Sequence, residues 1–159
     1  MQVATIAGEA APFAKVGGLA DVIGALPPAL ADLGVHPLVI MPRHRCIPLD
    51  HYGFSLFPLP GLSVPVGFDN VSFEVHRGVL PGSKVPVFLI GCDRFFDRDG
   101  IYFDPASGRD FADQADRWIF FQRAALELLR IVAPEVQIIH CHDHQTALVP
   151  RSEEHTSEL

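Results

Sequence analysis

The sequence predicts an α/β protein: a Rossmann-like parallel sheet with flanking helices and a hairpin-rich insertion. Three observations predict it. Short runs at residues 3–7, 35–41, 87–90 and 136–140 read as strands, those at 3–7 and 87–90 with the apolar texture of strands buried on both faces. Helical periodicity follows the first of these runs and precedes the last. The first strand-to-helix turn carries Lys15, Gly17, Gly18 and Asp21, so a cation, two glycines and a carboxylate stand where backbone can come close to a ligand.

In chain order, residues 3–7 form the first strand. Leu19, Val22, Ile23, Leu26, Leu30 and Leu33 then fall at helical spacing. Pro27-Pro28 predicts a break near Leu26, because an interior proline removes a hydrogen bond and clashes with the carbonyl four residues back. A second short helix would end at Gly34, a left-handed cap, before the strand at 35–41. The resulting β-α-β unit places the Lys15 to Asp21 turn at the carboxyl edge of a parallel sheet, where such proteins bind ligands. Residues 42–85 are interrupted by Pro and Gly and read as hairpins, with Val71 to His76 as one alternating run. Residues 93–109 read as a polar loop pinned by Phe95, Phe96, Ile101, Tyr102 and Phe103. Residues 111–132 form an amphipathic helix with Ala115, Trp118, Ile119, Ala125, Leu126 and Leu129 inward. Asp113 with Arg117, and Glu127 with Arg130, are spaced as surface pairs. Pro134 stops this helix, and the strand at 136–140 runs into Cys141-His142-Asp143-His144-Gln145 at the same sheet edge as the first turn.

With 159 residues, 48% of them hydrophobic, the chain can bury one ordinary core, and one domain over residues 1–150 is expected. No apolar run reaches the roughly 20 residues of a membrane span, and Met1 leads into a strand-like segment, so a cytoplasmic protein without membrane association is expected. The net charge of -7, with 12 scattered Lys and Arg, disfavours nucleic acid as a partner. Cys46, Cys92 and Cys141 are irregularly spaced, which fits reduced thiols in the core better than a disulfide framework.

Lys15, two residues before a glycine pair at a helix start, points to an anion site built from its charge, the Gly17-Gly18 backbone and the helix dipole. Asp21 reads either as a ligand group or as a first-turn acid that stabilises the dipole. If the strand continued, His140, His142 and His144 would share one face. Zinc is one use for them, although the spacing matches no strong zinc pattern. The others are capping of the next helix by Asp143 and ligand binding, with Asp143 receiving hydroxyls and His142 donating to oxygens.

Residues 9–22, Glu-Ala-Ala-Pro-Phe-Ala-Lys-Val-Gly-Gly-Leu-Ala-Asp-Val, closely resemble the amino-terminal signature of bacterial glycogen synthases and plant starch synthases. Asp116 to Phe121, Arg123 to Leu126 and the His140 to Pro150 stretch extend that resemblance over residues 1–150. The resemblance implies the N-terminal half of a GT-B glycosyltransferase. That enzyme type moves glucose from ADP-glucose, with retention, to the non-reducing end of an α-1,4-glucan, and the donor is a substrate, so no cofactor or metal is implied. By the same resemblance, Lys15 contacts the donor diphosphate, Gly17 and Gly18 approach it, and Asp21 and Asp143 are catalytic-cleft residues, with Glu9 and His142 beside them. A C-terminal GT-B domain would supply the rest of the cleft, so residues 1–150 alone are expected to be inactive. His144 departs from the tryptophan usual in the family. Residues 151–159, Arg-Ser-Glu-Glu-His-Thr-Ser-Glu-Leu, break off the family pattern and match a reading frame of a widely used sequencing adapter, so a non-native tail is expected there. Two other functions fit the residues: a GT-B transferase using another donor such as UDP-glucose, and a non-catalytic glucan- or anion-binding domain.

Overall fold

Apolar strand runs alternating with amphipathic helices produce a layered α/β architecture. A computed structural model of the chain describes residues 1–59 and 61–154, with side chains to Arg151. The elements are β1 (Gln2–Ile6), α1 (Gly18–Asp32), β2 (His36–Pro42), β3 (Ser55–Leu56), β4 (Ser63–Val66), β5 (Asp69–Ser72), β6 (Glu74–Val79) and β7 (Pro86–Gly91). They continue with α2 (Asp93–Phe96), β8 (Phe103–Asp104), β9 (Arg109–Asp110), α3 (Gln114–Val132), β10 (Ile138–Cys141), a 3-10 turn (His144–Thr146) and α4 (Val149–Glu154).

The main sheet runs β10-β1-β2-β7-β6-β3. Its first four strands are parallel, while β6 and β3 extend it antiparallel. Parallel strands need both faces covered, and side-chain alternation divides the core accordingly. Leu38, Ile40, Phe88 and Ile90 join the cluster under α3, whereas Val39, Met41, Val87 and Leu89 join the one containing Ile23 of α1. The α3 face also takes the β4-β5 hairpin. Among the described residues no helix is long and apolar enough to cross a membrane.

Several expectations change. Helix α1 does not break at Leu26 but runs through both prolines to Asp32. Pro27, Ile23 and Ala20 are buried on the sheet, and that packing outweighs the backbone bonds that the prolines remove. Gly34 does take the left-handed cap, with φ +80°. Its N–H donates to Ala31 O at 3.0 Å, and that of Val35 to Leu30 O at 3.1 Å. The run from Val71 to His76 is split between two sheets, because Phe73 N–H turns to Leu62 O at 3.0 Å. Ala115 is exposed, and Phe120, Phe121, Ala124 and Leu128 occupy the buried face of α3 with Trp118. Phe95, Phe96 and Ile101 are buried, but Phe103 is exposed. All three cysteines are free thiols; Cys46 is exposed rather than in the core. Of the expected tail, the backbone at 151–154 continues α4, and residues 155–159 lie outside the described residues.

The Asp113–Arg117 surface pair is the largest correction. Arg117 is fully buried, and its guanidinium donates to Phe95 O at 3.0 Å, Ile101 O at 3.0 Å and Gln114 Oε1 at 2.7 Å. It lies 4.5 Å from the Phe111 ring centroid. Asp113 instead accepts from Arg98 at 2.6 and 2.7 Å. Burial, then the nearby Arg98, pushes Arg117 down to about 10, so it stays cationic at neutral pH. A planar donor fork with carbonyls and aromatic faces around it organises the segment between β7 and α3.

Candidate functional site

The site gathers on the loops after the carboxyl ends of β1, β2, β7 and β10. The β1–α1 loop is folded tightly on itself: Ala10 and Ala14 exchange backbone bonds at 3.1 and 3.0 Å, and Ala11 N–H donates to Ala20 O at 2.9 Å. Gly24 permits this docking, since a Cβ there would lie 2.9 Å from Ala11 O. Glu9 is only 2% exposed, and its carboxylate accepts from the backbone N–H groups of Val16 and Gly17, the latter at 3.3 Å. A buried carboxylate must find donors, and the glycine turn supplies them.

The Gly17 N–H is thus turned inward to Glu9. Among the described residues no side chain caps α1, so the first-turn amides after Gly17 remain the anion-receptive end of the helix. Lys15 stands beside it, with Nζ 2.6 and 2.8 Å from the two carboxylate oxygens of Asp21. Their side chains are 53% and 58% exposed. Exposed pairs of this kind contribute about 0–1 kcal/mol, so an incoming polyanion displaces Asp21 at little cost.

Across the sheet edge, His142 N–H donates to Ile6 O at 3.1 Å, which ties the loop after β10 to β1. Asp143 then adopts φ 63° and ψ 177°, a region nearly reserved for glycine that costs about 1–3 kcal/mol. Its Oδ1 accepts from His144 N–H at 2.6 Å, and that bond, followed by the His144 side chain, holds its carboxyl below the usual range. The turn at Asp143 ends the strand geometry. His140 and His142 lie side by side, ring centroids 4.0 Å apart and planes tilted by 42°, while His144 stands away on Asp143. Burial, then His140, pushes His142 down, and its buried Nε2 has no partner among the described residues.

Two residues that spacing did not single out complete the site. The Tyr102 hydroxyl is buried beside the Glu9 carboxylate without a well-aligned hydrogen bond among the described residues, and burial, then the Glu9 and Asp143 charges, pushes it well up. It packs on Gly8, where a Cβ would lie 3.2 Å from the hydroxyl. Gln145 is 2% exposed with Oε1 unpaired. Tyr102 separates a cavity of about 410 Å³ reaching Lys15, His44 and Arg45 from one of about 580 Å³ reaching Trp118, Gln122 and His144. Arg45 is already engaged by Asp97 at 2.9 Å and Asp99 at 3.2 Å. A position at the end of a loop following a carboxyl-edge strand was the available signal for Tyr102. Buried His44 completes the floor: burial pushes it down to about 4, so it is neutral and its Nε2–H donates to Gly8 O at 2.8 Å.

A mostly parallel sheet with a lysine-flanked helix N-terminus and a strained Asp-His loop at one carboxyl edge makes this an α/β domain, and its match to a starch synthase catalytic domain, given below, makes it one of the GT-B type. The chain belongs to the starch synthase catalytic domain family, whose model matches residues 2–157. It is 39% identical over 153 residues to the glycogen synthase of Thermosipho africanus (strain TCF52B), covering 94% of this chain and 30% of that protein. It is 41% identical over 152 residues to glycogen synthase 1 of Geobacter metallireducens, again covering 94% and 30%. The catalytic domain of starch synthase IV from Arabidopsis thaliana, bound to ADP and acarbose, superposes with TM-score 0.74 at 32% identity, over 92% of this chain and 29% of that one. The chain thus spans about 30% of the length of these relatives.

Proposed function

We propose that this chain forms the donor-phosphate side of a retaining glucosyltransferase that moves glucose from ADP-glucose to the non-reducing end of an α-1,4-glucan. The observation that carries it is the uncapped N-terminus of α1 with Lys15 beside it, 2.6 Å from a displaceable Asp21. The starch synthase IV structure contains ADP and acarbose, a nucleotide and a sugar chain, and so supports this substrate class.

In this proposal Lys15 leaves Asp21 for the diphosphate, and the helix amides meet its oxygens. As the sugar–phosphate bond breaks, negative charge grows on the leaving diphosphate and cationic character on the sugar. Charge fixed in advance at the phosphate stabilises that separation. Glu9 positions the turn from inside instead of contacting substrate. Asp143, Tyr102 and His142 face the sugar: a carboxylate receives hydroxyls, and two unpaired buried polar atoms gain partners when substrate binds. The work is placed in the cytoplasm, which suits three free thiols.

The rest of the nucleotide site would come from sequence beyond residues 1–150, so the isolated chain is proposed to be inactive. The test compares glucosyl transfer from ADP-glucose and UDP-glucose by a protein of its relatives' length and by this chain alone. Transfer from ADP-glucose by the longer protein only is expected. Preference for UDP-glucose would overturn the donor, and transfer by the isolated chain would overturn the division of the site.

A further inference from the structure

A third cavity, of about 660 Å³, opens at the amino edge of the sheet, opposite the site above. Its walls come from the starts of β1, β2 and β7, the last residues of α3 and the segment after α1. Leu38 and Phe88, 3% and 5% exposed, form an apolar floor that Phe57 and Leu59 extend. Ile131 is 44% exposed at its edge. Arg77 and Lys84 line it as exposed cations, and neither makes an ion pair among the described residues. Among the described residues no acidic side chain lines it, although the chain as a whole carries -7.

A pocket of this size suits a small molecule. An apolar floor asks for a hydrocarbon body, and two unneutralised cations ask for a negative head. A glucan fits poorly, because the lining offers few amide or carboxylate groups to receive hydroxyls. We propose that this cavity binds a fatty-acid-like carboxylate, its chain over Leu38, Phe57 and Phe88 and its head between Arg77 and Lys84.

Calorimetric titration of the full chain with decanoate below its micelle concentration, with decan-1-ol as the uncharged control, tests the proposal. One-to-one binding of decanoate, tighter than that of the alcohol, is expected. Replacing both cations, Arg77→Gln with Lys84→Gln, should weaken decanoate about tenfold and leave the alcohol unchanged. Ile131→Trp, a change at an exposed position that fills the cavity, should abolish binding of both. Arg109→Gln, a surface cation elsewhere, should change nothing. Circular dichroism melts of each variant check the fold. No decanoate binding, equal affinity for acid and alcohol, or insensitivity to the double substitution or to Ile131→Trp would overturn it.

Discussion

Tyr102 offers the sharpest test at the scale of single residues. Its hydroxyl is buried beside the Glu9 carboxylate without a well-aligned hydrogen bond, and a buried hydroxyl left so costs about 1–3 kcal/mol. Tyr102→Phe should therefore keep or raise the unfolding free energy of the chain, measured by urea denaturation. In a protein of its relatives' length the same change should weaken ADP-glucose turnover; a destabilised fold with unchanged turnover would give Tyr102 a purely structural role. Lys15, Gly17, Gly18 and Asp21 were legible in the sequence because they are neighbours along the chain at one turn. Glu9 was legible as a nearby carboxylate but not as the inward latch of that turn, since its direction depends on how residues 10–14 fold back. Tyr102 was not legible, because its place is set by carbonyls that converge on Arg117 from Phe95 and Ile101.

At the scale of elements, α1 carries the proposed anion site at one end and the Gly34 cap at the other, with two prolines between. The proline rule erred here because it weighs the local backbone alone, and the buried face of the helix decides. Pro28 is only partly buried, so Pro28→Ala restores an N–H to the helix without opening a cavity. A gain of about 1–3 kcal/mol in unfolding free energy is expected by denaturant titration. Loss of stability would mean that the proline rings are needed for packing. The strand assignments succeeded within one or two residues: β1, β2 and β7 are buried on both faces and so leave largely apolar runs, whereas β10, half exposed with Ile138 44% accessible, was legible only as a β-branched run after the Pro134 stop. Arg117 on α3 was misread because helical spacing pairs it with Asp113 as well as any surface ion pair.

Across the whole molecule, acid should loosen the joint between β1 and β2. His44 is neutral in the fold, with its pKa near 4 against an ordinary 6.5. The unfolded chain therefore binds the proton first, and stability present above pH 6.5 is lost as pH falls toward 4, by on the order of 3 kcal/mol. Thermal midpoints between pH 7 and 4 should fall less steeply in His44→Gln, which keeps a donor for Gly8 O; identical slopes would assign the acid sensitivity to other groups.

The chain spans about 30% of its relatives' length, so its chemistry is read best in a protein of that length. The central claim is that Lys15 and the α1 N-terminus receive the leaving diphosphate. The most direct measurement is the kcat of Lys15→Ala for ADP-glucose in such a protein, alongside its thermal midpoint. Removing one preorganised donor of this kind costs about 2.7–4 kcal/mol of transition-state stabilisation, so kcat should fall roughly a hundredfold to a thousandfold. The exposed pair with Asp21 contributes little to folding, so the midpoint should stay within a few degrees. An unchanged kcat, or a loss of activity that tracks unfolding, would contradict the account.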